Sequence, residues 1–127
     1  MTTVFTNGCF DILHRGHIEY LRQSKGLGDR LIVGVNSDAS VKRLKGEDRP
    51  INNQEDRCAL LKALRFVDEV IVFNADTPID LITMLRPDII TKGGDYKPED
   101  VVGNHLAKVV ILPYRENYST TRLLNAV

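Results

Sequence analysis

Cysteine, long apolar runs, net charge and sequence repetition are all scarce in this 127-residue chain. Cysteine occurs only at Cys9 and Cys58, too few for a disulfide framework, and Cys58 falls in a helical pattern as a small apolar residue. No apolar run approaches the roughly 18 residues of a membrane span. The first residues lack the basic start of a secretory leader, so the expected setting is cytoplasmic, with no membrane partner. Seventeen Lys and Arg balance seventeen Asp and Glu. The broad basic face of a nucleic-acid binder is therefore missing, and no nucleic acid is expected as partner. No internal repeat or low-complexity segment argues for a solenoid or a tail. What remains is an ordinary globular composition, 43% hydrophobic and 27% charged. The length suits one domain, residues 1–127, able to bury a core without disulfides or metal.

The apolar pattern alternates strands and helices. Strands are expected at residues 2–7, 30–36, 70–73, 88–92 and 108–112. Helices are expected at 17–25, from Asn52 or Asn53 to about 65, from Thr77-Pro78 to before Pro87, and after Ser119. The near-continuous apolar run 30–36 suits a parallel strand covered on both faces. Asn52 or Asn53 caps a helix with Glu55 and Asp56 in its first turn. Gly26 and Gly28 stop the first helix. The polar segment 37–50 reads as a loop, and 97–106 is ambiguous, one short helix at most. The pattern predicts an α/β fold: a single Rossmann-like domain, a parallel five-stranded sheet with helices on both faces. Ligands of such sheets settle beyond the carboxyl ends of the strands, at a topological switch point. The polar stretches 8–17, 37–49, 93–96 and 113–121 all leave strands at that edge.

The first of these, Asn7-Gly8-Cys9-Phe10-Asp11-Ile12-Leu13-His14-Arg15-Gly16-His17, organises the rest. A strand that breaks at Gly8 and enters a helix near Gly16 leaves helix-start N–H groups and the positive end of a dipole for an anion. Histidines three apart share a helical face, and imidazole N–H groups donate to phosphate oxygens. Gly16 permits close approach of a ligand to the backbone. The physical reading is a phosphate-handling strand–loop–helix. Structural zinc on Cys9, Asp11, His14 and His17 is the rival, weakened because no second ligand cluster follows; no metal-ligating residue is assigned.

These residues resemble the GxFDxxHxGH signature of the nucleotidyltransferase superfamily, in its cytidylyltransferase-like branch. The resemblance implies that His14 and His17 bind nucleotide phosphates and stabilise the transition state as pyrophosphate leaves. It implies nucleotide contacts for Asn7, Gly8, Phe10, Asp11 and Gly16. It also implies phosphate contacts for Lys42 and Lys45, with the dominant lysine left open, and a positioning or metal-linked role for Asp38. Arg57 falls where the family has a phosphate-reaching arginine; a surface helix arginine is the equal alternative. The segment 65–70 resembles a homodimer contact.

Lys92-Gly93-Gly94-Asp95-Tyr96 is similar to the adenylyltransferases that act on heptose 1-phosphate, where cytidylyltransferases end the motif in Asp-Trp. Its paired glycines let a base or sugar lie against the chain, and Asp95 accepts hydrogen bonds. Arg115 matches a phosphate-binding arginine, and Ser119, Thr120 and Thr121 match a triphosphate-binding helix start. One departure is the link 103–108, shorter than in typical heptose enzymes; His105 there reads as surface. With no kinase domain alongside, a stand-alone transferase is expected. The implied reaction transfers AMP from ATP to a sugar 1-phosphate, with Mg²⁺ held mainly by the nucleotide phosphates. The runner-up is a CTP-dependent enzyme acting on glycerol 3-phosphate or a similar phosphorylated alcohol. A nucleotide-binding regulatory module without turnover is the rival of another class.

Overall fold

The computed structural model describes residues 1–94 and 96–113. Its element order is β1 (Thr3–Gly8), α1 (Arg15–Gly26), β2 (Arg30–Asn36), α2 (Asp38–Lys45), α3 (Gln54–Lys62), β3 (Glu69–Phe73), α4 (Ile79–Leu85), β4 (Ile89–Gly93) and β5 (Lys108–Leu112). A short 3₁₀ turn, Pro98–Asp100, lies between the last two strands. The strands form one sheet in the order β3-β2-β1-β4-β5, with every neighbouring pair parallel. The chain winds outward from β1 to β3, then returns to place β4 on the other side of β1. That reversal puts the switch point between β1 and β4, with all carboxyl ends at one edge. The expected parallel five-stranded α/β sheet is the observed one.

Strand alternation sends neighbouring side chains to opposite faces, and two cores result. Val4, Leu31, Val33 and Val35 pack with Leu21 of α1 and Leu61 of α3 on one face. Phe5, Ile32 and Ile90 pack with Leu81 and Ile82 of α4 on the other. On the α1 face a hydroxyl network replaces part of the apolar packing. The Tyr20 hydroxyl lies 2.6 Å from Thr6 Oγ1 and donates to Thr91 Oγ1, which also meets Ser24 Oγ at 2.9 Å. These bonds tie α1 to β1 and β4, the two strands flanking the switch point.

Four expectations are corrected. The polar segment 37–50 is not all loop: Ser37 caps a helix by accepting from Ser40 N–H, with Asp38 in the first turn and three basic residues in the last. Those charges complement the helix dipole. Only Val41 of the segment is a fully buried apolar side chain, so the apolar period was too weak to read. Helix α1 starts two residues early because its cap is His14, outside the usual capping set. Pro78, not Thr77, stands at the cap position of α4, without a side-chain cap bond. Gly28 matters through close approach rather than as a helix stop, since a Cβ there would lie 2.7 Å from the Thr2 carbonyl oxygen. The ambiguous stretch 97–106 is the 3₁₀ turn followed by further turns, with His105 exposed as expected. The helix expected after Ser119 lies outside the described residues.

Gly34, in central β2, faces the fully buried Phe5 ring, and a Cβ would sit 2.8 Å from its tip. Gly34→Ala therefore overpacks the α4-side core and lowers the unfolding free energy by about 1–3 kcal/mol in urea titrations. An unchanged midpoint would mean that Phe5 yields freely.

Candidate nucleotide-phosphate site at the switch point

Beyond Gly8 the chain turns sharply through Phe10, whose φ of 48° is left-handed. A Cβ on Gly8 would lie 3.0 Å from the Phe10 ring, so glycine lets that ring fold back beneath the strand end. Phe10 is 8% exposed and meets the His17 ring edge-on, centroids 5.3 Å apart at 62°. The His17 and His14 rings stack at 3.8 Å and 25°. The Phe10 side chain is thus part of the core and props His17.

The backbone settles which edge each imidazole presents. Gly16 N–H donates to His14 Nδ1 at 3.1 Å, and His14 N–H donates to His17 Nδ1 at 3.3 Å. A nitrogen that accepts from an amide carries no proton, so the neutral rings bear theirs on Nε2. Burial, then the neighbouring His14, pulls His17 down to about 4, and burial lowers His14. Both rings are neutral near pH 7 and offer Nε2–H donors near the positive end of α1. The Gly16 N–H, expected to face an anion, is occupied by the chain's own imidazole.

Three further residues hold this loop. Asp11, 2% exposed, accepts from the backbone N–H groups of Ile51 and Asn52 and pairs with Arg49 Nε at 2.6 Å. Burial alone would raise its carboxyl, but the Asn52 and Ile51 amides and the Arg49 guanidinium outweigh that and hold it low. Asn52 returns a bond from its side-chain amide to the Asp11 carbonyl at 2.7 Å. Asp11 is therefore a loop tie, its carboxylate taken up by Arg49, Ile51 and Asn52 and so out of the zinc rival.

Arg57 is 1% exposed, so it is no surface arginine. Its guanidinium donates to the carbonyls of Asn52, Cys9 and Asn36 at 2.7–3.0 Å and to Asp38 Oδ1 at 2.8 Å. Those bonds use four of its five N–H groups. The side chain joins the ends of β1 and β2 to α2 and α3. Asp38, expected as a positioning or metal-linked residue, is the carboxylate partner. Arg49 and Asn52 escaped sequence reasoning, because contacts to Asp11 across 38 and 41 positions leave no local periodicity.

Lys42 and Lys45 stand exposed one turn apart at the end of α2. Lys45, with Arg57 and Arg49, is near enough to Cys9 to oppose the burial that raises its thiol; Lys42 is not among those influences. Asn7 and Gly8 end β1, and Gly93 ends β4 beside it, at the same edge. Asp95, Arg115, Ser119, Thr120 and Thr121 lie outside the described residues. Among the described residues, no group of three or more His, Cys, Asp or Glu is arranged to hold a metal ion. No described helix is long and apolar enough to cross a membrane.

A parallel sheet with a phosphate-type strand–loop–helix at its switch point defines a nucleotidyltransferase-type α/β domain. The chain belongs to the cytidylyltransferase-like family, whose model matches residues 5–126. It is 61% identical to the bifunctional protein HldE of Nitratiruptor sp. over 95% of its length and 55% identical to that of Campylobacter concisus over 98%. It spans 26% of each of those proteins, about a quarter of their length. A solved structure titled the lipopolysaccharide core biosynthesis protein from Thermoplasma volcanium is 35% identical, with TM-score 0.75, covering 94% of this chain and 99% of that one. Pantothenate synthetase from Thermus thermophilus shares the fold, at TM-score 0.62 and 16% identity over 98% of this chain and 64% of that one.

The low His17 value has a thermodynamic consequence. Between about 4 and the ordinary histidine value near 6.5, the unfolded chain binds a proton that the folded chain refuses. Stability therefore rises with pH across that window and is lost as pH falls through it. Urea titrations at about pH 7 and about pH 4.5 will show a smaller loss for His17→Gln than for the parent. Equal losses would place His17 at an ordinary value.

Proposed function

We propose that the chain transfers AMP from ATP to a sugar 1-phosphate, D-glycero-D-manno-heptose 1-phosphate, releasing pyrophosphate and giving an ADP-sugar. The observation that carries this reading is the stacked pair of neutral histidines with Nε2–H edges set by the backbone. In support stand the heptose-type motif Lys92-Gly93-Gly94-Asp95-Tyr96, the identity to proteins named HldE, and the lipopolysaccharide core biosynthesis title of the Thermoplasma relative.

The acceptor phosphate oxygen attacks the α-phosphorus of ATP in line as pyrophosphate departs. A phosphate is already a nucleophile, so the protein's part is positioning and charge stabilisation rather than base catalysis. His14 and His17 donate from Nε2 to oxygens that gain charge as the bond to pyrophosphate breaks. Lys45, with Lys42 and Arg115 in support, neutralises the triphosphate. Asn7, Gly8, Gly16 and Gly93 line the crevice backbone, Asp95 accepts from the nucleoside, and Ser119, Thr120 and Thr121 contact the triphosphate. Phe10, Asp11 and Arg57 act through the loop they hold. Mg²⁺ would be carried mainly by the nucleotide phosphates, where it would offset their negative charge.

The setting proposed is cytoplasmic, in keeping with two free cysteines. A homodimer is proposed through the β3 edge near 65–70, supported by exposed Leu60 and Val72 beside it.

Pyrophosphate release is expected with ATP and heptose 1-phosphate but not with CTP and glycerol 3-phosphate. His17→Ala lowers turnover by about 10²–10³-fold, the usual cost of losing one donor to developing charge. Unchanged turnover in that variant would remove His17 from the chemistry, and release with CTP alone would overturn the substrate assignment.

A further inference from the structure

One cation at the switch point has no part in the mechanism above. Lys92 lies in β4 just before the strand ends at Gly93. The β1–β4 register pairs Val4 with Ile89 and Phe5 with Ile90, and its continuation sets Lys92 beside Asn7. Alternation fixes the face it leaves from. Thr91 points to α1, where Tyr20 and Ser24 bond it, whereas Ile90 packs with Leu81 and Ile82 beneath α4. Lys92 shares the parity of Ile90 and rises from the α4 side of the edge. The histidines stand on the α1 side.

The ammonium is partly buried and makes no ion pair or hydrogen bond with any of the described residues. It lies 5.1 Å from the centroid of the Tyr96 ring, which holds the stem against the rim. Burial pulls it below the ordinary lysine value, with Cys9 opposing that shift. Among the described residues no carboxylate meets this half-desolvated cation, and an anion in the crevice would relieve the cost of its burial.

We propose that Lys92 binds the phosphate of the acceptor, holding it on the α4 side of the crevice with the Asn7 side chain as neighbour. The assignment rests on the transferase reading. In-line displacement puts the attacking oxygen and the departing pyrophosphate on opposite sides of the α-phosphorus. The histidines on the α1 flank suit the triphosphate, and a separate cation on the α4 flank suits the incoming phosphate. Lys92 then delivers the nucleophile without taking its negative charge by proton transfer.

The test is steady-state kinetics of pyrophosphate release by the parent, Lys92→Gln and Lys92→Arg, with ATP and heptose 1-phosphate each varied, alongside thermal melts. Loss of a charge-assisted phosphate contact raises the acceptor KM by roughly 10–100-fold in Lys92→Gln. The ATP KM stays within about twofold, and Lys92→Arg recovers most of the acceptor affinity. If Lys92→Gln melts early, Lys92→Arg against Lys92→Met, which keeps the stem over Tyr96, gives the same comparison. Equal rises in both KM values, or a rise for ATP alone, would assign Lys92 to the nucleotide and overturn the proposal. So would an unchanged acceptor KM. A parent protein that releases no pyrophosphate with any sugar 1-phosphate overturns the transferase reading itself, and the Lys92 assignment with it.

Discussion

Two backbone amides decide which nitrogen of each histidine carries the proton: Gly16 N–H on His14 Nδ1 and His14 N–H on His17 Nδ1. Each occupies the ring nitrogen that would otherwise accept a proton or a metal. The rings are left neutral, each with its proton on Nε2. Neutrality has a physical source, since burial, then the stacked partner, makes a second proton on His17 expensive. In the proposed reaction, charge for the phosphates comes from elsewhere, from the α1 dipole and from lysines at the ends of α2 and β4. Donor and charge are separate parts of this site.

Those bonds persist only if the loop carrying them is rigid. Arg57 binds the carbonyls of Cys9 and Asn36, one at each of two strand ends, and Asp11 binds the 49–52 segment through two amides and a guanidinium. Breaking such a group by removing one partner strands several buried polar atoms at once. No described side-chain nitrogen or oxygen is buried without a bond. The carboxyl edge is therefore a closed polar framework, with the histidines and lysines at its margins. The hydroxyl network of Thr6, Tyr20, Ser24 and Thr91 extends that framework down the α1 face.

The strands were legible because a parallel sheet covered on both faces writes itself as apolar runs, and 30–36 matches β2 residue for residue. The HxGH turn was legible as a cluster of chemistry-bearing residue types in a short span. The division of labour within that cluster was not. Phe10 and Asp11 sit in the motif like ligand contacts, yet one is core and the other a tie, because their partners come from 38 or more positions away or from beneath the strand. Arg57 was unreadable for the same reason: a charged residue on a helix is exposed by default, and only four distant acceptors reverse that. Helix α2 was missed because its sequence is polar on most sides, and its stability comes from the Ser37 cap and terminal charges.

The central claim is that both histidines act as neutral donors through Nε2, and imidazole ¹⁵N–¹H correlation spectra at neutral pH test it most directly. The account predicts that His14 and His17 each carry a single proton on Nε2, with those resonances moving when ATP is added. A proton on Nδ1 of His17, or an imidazolium at neutral pH, would contradict it.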